Sequence, residues 1–315
     1  MEQNNLNELN SGDEINIFEI ASAVWSDKFL IGVIVIIFAI GSVIYSLSLP
    51  NVFTSSSLLI QAEEQGSSPS MNSQVGGFAA MAGIDMGNAG GQDKATLAIA
   101  MLESRDFLKY ILTFDGVTES LMAAESYNEQ SKILKFNKND FNVETKTWIR
   151  EPGLYKTVIP SNLEVYEAYR ETLSASIDKK TGFISISATH ISPQFAYDFL
   201  ELVIQEVNYL SRVRDLEESE EALKFLKIQL SETQNVDISR SINQLIESQL
   251  KTQMLANVRP DYLLQILDQP YVPILKSSPQ RSLICIFGTL LGFFLGMVIV
   301  LSKYFFYEKP KSLHT

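Results

Sequence analysis

Few side chains in this sequence of 315 residues are placed to do covalent, metal or proton-transfer chemistry. There are two histidines, His190 at the end of an alternating run and His314 in the terminal tail. The single cysteine, Cys285, lies inside an uncharged stretch. A zinc site needs several such ligands in register and a thiol nucleophile needs a base beside it, so neither has its residues here. Glu217, Glu218, Glu220 and Glu221 crowd one segment and could draw a divalent cation, yet such a run reads first as a solvated helix face. GNAGGQDKAT (87–96) invites comparison with a phosphate-binding loop but lacks the Gly-Lys-Ser/Thr ending that holds phosphate and metal. An ordered loop is the reading that remains. The sequence predicts no enzyme, no cofactor and no metal site.

The residues that stand out instead are prolines and glycines. In PYVPILKSSPQRSLICIFGTLLGFFLGMVIV (270–300), Pro270, Pro273 and Pro279 precede a long apolar run. Each proline fixes φ and removes a backbone donor, giving an extended, stiff lead. Inside the run, Gly288, Gly292 and Gly296 recur every fourth position, on one face of a helix. Missing side chains on that face let a second helix approach closely, and close packing drives helix association in lipid. Cys285, small and three residues before Gly288, shares roughly that face. On this reading a leucine at Gly292 should force the helices apart.

These residues need elements to position them. Phe29 to Leu49 and Leu283 to Leu301 are uncharged, each long enough as a helix to cross a hydrocarbon core of roughly 30 Å. A cleaved signal peptide fits the first run poorly: it is too long and the tail before it is acidic. Two spans put both termini on one side. Lys28, Lys303, Lys309 and Lys311 flank the spans on that side, against Lys276 and Arg281 on the other, which favours cytoplasmic termini and an exported region between. A net charge of −12 speaks against a nucleic-acid partner. With its one cysteine in a span, the exported part has no disulfide and must hold by packing.

Along the chain, Ser11 and Glu14 form a capping-box pattern ahead of Ile17, Ile20, Ala21 and Val24, which predicts a short interfacial helix with Trp25 near headgroup level. VFTSSSLLIQAEE after Pro50 predicts a strand. The glycine-, serine- and alanine-rich stretch 66–91 still carries Val75, Phe78, Met81, Ile84 and Met86, too apolar for a plain linker. Helix resumes from Asp93, with Leu97, Met101, Leu108 and Ile111 to bury. The segment 113–160 is mixed, and 163–174 is helical. LSASIDKKTGFISISATH predicts a hairpin with Gly182 at positive φ. Ser192 and Pro193 open a long helix to about Ser231, with Phe195, Phe199, Leu202, Leu210, Val213, Leu216, Leu223, Leu226 and Leu230 as its stripe. A further helix runs from Ile238 to about Asn257 and carries Ile242, Leu245, Ile246 and Leu250. Such long, narrowly apolar helices predict neighbouring copies of the chain as cover. YLLQILDQP predicts a returning strand beside the first.

Several blocks together resemble the Wzz-type polysaccharide co-polymerases, the chain-length determinants of bacterial surface polysaccharides. They are DEINIFEIASAVWSDKFLI, SQVGGFAAMAGIDMGNAGGQDKATLAIAMLESRDFLKYIL, the hairpin-then-helix IDKKTGFISISATHISPQFAYDFLELV, and the proline-to-glycine segment. The resemblance implies an α+β periplasmic domain with long projecting helices, anchored in the bacterial inner membrane by two transmembrane helices. The divisions are a tail with an interfacial helix (1–28), a first span (29–49), an α/β base plus long helices (50–282), a second span (283–301) and a tail (302–315). It also implies a homo-oligomeric ring that sets how many units a separate polymerase adds to a lipid-linked glycan. The tail after Leu301 is too short for the tyrosine kinase domain of related capsule and exopolysaccharide proteins. Within this frame Phe78, Met81 and Ile84 are candidate subunit contacts, and Lys276 and Arg281 candidate contacts to lipid or glycan carrier. A periplasmic adaptor of an export system and a helical sensor are the alternatives.

Overall fold

The computed structural model describes residues 25–62, 89–154 and 156–304, with backbone alone for 89–93. The expected interfacial helix, the glycine-rich stretch up to residue 88 with Phe78, Met81 and Ile84, and Lys309, Lys311 and His314 lie outside the described residues. In chain order the elements are α1 (Lys28–Ser48), β1 (Phe53–Gln61), α2 (Ala89–Leu102), α3 (Arg105–Ile111) and α4 (Val117–Ala123). Two small hairpins come next, β2 (Ala124–Asn128) with β3 (Ile133–Phe136) and β4 (Phe141–Asn142) with β5 (Thr147–Trp148). Then come α5 (Asn162–Thr172), β6 (Leu173–Ile177), β7 (Ile184–His190), α6 (Pro193–Glu232), α7 (Val236–Val258), β8 (Leu264–Asp268) and α8 (Arg281–Lys303). The architecture is mixed α/β, with an apolar helix near each end of the chain. The described residues fall into two compact units: the two ends, up to Asn51 and from Ser277, and the stretch Val52–Lys276.

The larger unit is built on an antiparallel sheet of order β6-β7-β1-β8. Along β1, Phe53, Ser55, Ser57 and Leu59 face the core. Two serines at core positions need partners, because an unpaired buried hydroxyl is costly. Ser57 Oγ donates to Asp268 O at 2.7 Å and Ser55 Oγ to Tyr271 O at 2.8 Å. They tie β1 to the last residue of β8 and to the chain just beyond it. The β6–β7 hairpin matches the sequence expectation, with Gly182 at φ 72°, a conformation favourable to glycine. Ser192 Oγ caps α6 by accepting from Phe195 N, and Pro193 opens the helix.

The 40 residues of α6 make a rod of about 60 Å. Its first half lies on the sheet through Phe199, Leu200, Val203, Ile204 and Val207, all fully buried. Burial of each such side chain contributes about 1.5–3 kcal/mol. The expected stripe is therefore shifted: Phe195, Leu202 and Leu210 are only half-buried at its edge. The helix packs against both sheet and helices there, so more than one residue row is covered. Its second half is covered by α7, with Leu223 and Ile242 buried and Leu245 and Leu250 exposed.

Two further expectations are corrected. The helix expected to continue from Asp93 breaks after Leu102, where Ser104 accepts from Phe107 N and starts α3 anew. Leu97 is exposed, and Ala95, Ala98 and Leu102 carry the contact face instead. Small alanines let α2 approach the core closely, a preference that ranking residues by apolar bulk misses. In the 113–160 region, Arg150 is buried and donates to both carboxylate oxygens of Glu164, at 2.9 and 3.0 Å, and to the carbonyls of Thr157 and Val158. Glu164 also completes a capping box with Ser161. These hydrogen bonds, with the guanidinium, hold its carboxyl below the usual range despite the opposing effect of burial.

Candidate functional site

The site is the helix pair of the smaller unit. α1 and α8 are each strongly apolar apart from their charged end residues, the composition of a helix surrounded by lipid. They pack side by side, and the seam is made by the glycines. Gly292 and Gly296 are buried, as are Ile31 and Val300. A Cβ at Gly292 would lie 2.7 Å from Phe38 Cβ and 3.3 Å from Val35 Cα. One at Gly296 would lie 3.3 Å from Ile31 Cγ2, and one at Gly288 would run into the side chain of Ser42, 2.8 Å from its Oγ. The three glycines thus admit Ser42, Phe38 and Ile31 in succession. The second helix of the glycine seam is the chain's own first apolar helix.

Small residues on α1 complement the glycines. Ser42 sits opposite Gly288 and turns its hydroxyl back to Ala39 O at 2.8 Å, the local bond that satisfies serine inside an apolar helix. Ser46, one turn on, is also buried. On α8, Thr289 Oγ1 donates to Cys285 O at 3.0 Å. Cys285 itself is half-buried and has no cysteine to pair with.

Polar ties close the pair at both ends. Lys303 Nζ meets Asp27 Oδ2 at 2.7 Å, and Arg281 donates to Asn51 Oδ1 at 3.1 Å. Lys28 lies 5.0 Å from the ring centre of Trp25. The stretch expected as the first span, 29–49, is displaced by one residue from α1, and the stretch 283–301 lies within α8. Of the expected organisers, Pro279 belongs to this unit with the glycines. Pro270 and Pro273 belong to the larger unit, where Pro273 is buried and Pro270 half-buried. Lys276 also belongs there and is exposed.

The groups weighed for chemistry are in structural positions. His190 Nδ1 accepts from Ser192 N at 3.1 Å, and Nε2 lies 2.9 Å from Ser120 O. That pairing requires the neutral ring with its proton on Nε2. Burial also pushes its pKa down. Glu217, Glu218, Glu220 and Glu221 are all exposed on α6. Among the described residues no group of acidic, histidine or cysteine side chains is arranged to hold a metal ion.

Sequence reasoning passed over Asn208, which is buried in mid-α6. Its Oδ1 accepts from Leu263 N and Leu264 N, both at 2.8 Å, and its Nδ2 donates to Leu264 O and Ile204 O. One side chain joins the long helix to β8. The available signal was an amide directly after the apolar run Val203, Ile204 and Val207.

Residues 13–113 match the Wzz family, described as chain length determinant protein. No curated protein sequence matches the chain. Among solved structures, a full-length bacterial polysaccharide co-polymerase aligns with 13% identity over 94% of this chain and 100% of its own, at a TM-score of 0.40. The family match takes in α1, β1, α2 and α3 together with the stretch between β1 and α2. From Asp13 to Thr113, this chain is similar to the Wzz family of chain length determinant proteins.

Proposed function

We propose that this protein is a non-catalytic polysaccharide co-polymerase. It sets the chain length of a lipid-linked surface polysaccharide, of the O-antigen kind or a related one. It works as a homo-oligomeric ring of two-span protomers in the bacterial inner membrane, beside a separate polymerase. The Val52–Lys276 unit is periplasmic and both termini are cytoplasmic. The observation that carries the reading is the family match over 13–113, which joins the first apolar helix to the sheet and helices of the larger unit. Two apolar helices packed through glycines give each protomer a fixed footing. Phe225, Ile228 and Met254 stand exposed along α6 and α7, which suits cover by neighbouring copies.

Pro270, Pro273 and Pro279 restrict the chain ahead of α8, and Phe78, Met81 and Ile84 contact the next subunit. Lys276 and Arg281 supply positive charge toward an anionic lipid or glycan carrier. Arg281 also donates to Asn51, so Lys276→Glu isolates the charge from that structural bond.

The test is a gel profile of surface polysaccharide with and without the gene. Deletion should replace a modal ladder with a short or unregulated one, and the intact gene should restore the mode. Lys276→Glu should shift the mode while protein level and assembly stay normal. A ladder indifferent to the gene rules the function out. Loss of substrate efflux in the deletion strain would instead point to an export adaptor.

A further inference from the structure

Between β8 and α8 the larger unit exposes an apolar segment that its own core leaves bare. Ile274 is 92% exposed, Leu275 82% and Tyr271 55%. Loose chain would explain such exposure, but this segment is tied down. Ser55 Oγ, on the central strand, donates to Tyr271 O at 2.8 Å, and Pro273 between the exposed residues is buried. A buried proline with fixed φ anchors the backbone from which these side chains project. The fold presents Tyr271, Ile274 and Leu275 to something outside the unit.

The covalent tether says what that is. From Leu275 to Arg281, the first residue of α8, the chain can reach at most about 22 Å, at roughly 3.6 Å per step. If α8 spans a bilayer, the segment cannot leave the neighbourhood of that bilayer's surface. Its composition also suits the place: an aromatic hydroxyl, two long aliphatic side chains and then Lys276, which is how interfacial segments divide between acyl chains and headgroups.

We propose that residues 271–275 form a membrane-interface anchor, with Ile274 and Leu275 seated in the headgroup–acyl boundary of the bilayer that receives α8. The proposal rests on the membrane reading of α8. It adds a third hold on the bilayer and makes the larger unit sensitive to the lipid beneath it.

The experiment uses the full chain in phospholipid nanodiscs of phosphatidylethanolamine and phosphatidylglycerol, with both native tryptophans, Trp25 and Trp148, changed to phenylalanine. One probe is placed at a time: Leu275→Trp, Ile274→Trp, or Leu291→Trp on the exposed face of α8. Expected is short-wavelength emission from both segment probes and several-fold quenching when the lipids carry bromine near the headgroup end of their chains. Water-like, unquenched emission from both segment probes, with Leu291→Trp quenched, overturns the anchor and leaves the span standing. Short-wavelength emission that bromolipid leaves untouched also overturns it, by showing cover from protein, a second copy included. A Leu291→Trp quenched neither by these lipids nor by lipids brominated near the ends of their chains removes the membrane reading and the anchor with it.

Discussion

At the scale of single residues, the glycines of α8 and His190 behave in ways their surroundings dictate. Alanine at Gly288 or Gly292 places a methyl inside the volume of Ser42 or Phe38, whereas at Gly296 the nearest atom is 3.3 Å away. Overpacking of this kind costs about 1–3 kcal/mol. Gly288→Ala and Gly292→Ala should therefore lower the thermal stability of the purified protein in mild detergent clearly more than Gly296→Ala. Pairing Gly288→Ala with Ser42→Gly should recover most of the loss; no recovery would mean the close contact is not the cause. Gly292→Leu should be the most disruptive and should carry over to assembly. His190 has a different sensitivity. Burial depresses its pKa below the ordinary value of about 6.5. The unfolded chain then binds a proton that the folded one resists. Stability should be complete above about pH 6.5 and fall as pH drops through that value toward the folded pKa. Denaturant midpoints measured from pH 8 to pH 5 should show this slope, and His190→Gln should flatten it. Glu164 adds a second loss at lower pH, below the ordinary carboxylate value, because its folded pKa is depressed.

At the scale of elements, the docking of α6 on the sheet depends on one amide as well as on apolar burial. Removing Asn208 leaves two N–H groups and a carbonyl of 263–264 without their partner, at about 1–3 kcal/mol for each group left bare. Asn208→Leu should accordingly raise hydrogen-exchange rates at the Leu263 and Leu264 amides far more than at Ile186 in mid-sheet. Equal rates at all three would show that β8 is held by its pairing with β1 alone. Several elements were legible beforehand because local chemistry fixes them. Gly182 marks the hairpin, and Ser192 and Pro193 mark the start of α6. The break at Ser104 was harder to see. A serine there is compatible with a continuing helix until α2 and α3 have different surfaces to cover.

At the scale of the whole molecule, the two units present different surfaces. The larger unit is a sheet-and-helix core closed without a disulfide. Among the described residues of the smaller one, α1 and α8 keep apolar side chains outward, the inverse of a soluble protein's arrangement. The gel profile of surface polysaccharide tests the function at this scale, since chain length is a property of the assembled system. The sequence by itself determined what periodicity and composition encode: two apolar helices, a glycine face, the strand pair around the hairpin, and a Wzz-like beginning. The tertiary structure alone decided what meets each face. It set Gly288, Gly292 and Gly296 against the chain's own α1, turned Leu97 outward in favour of alanines, buried Arg150 against Glu164, and made Asn208 a joint. Periodicity states which residues share a face, but the partner of that face is fixed by close packing between segments far apart in the chain.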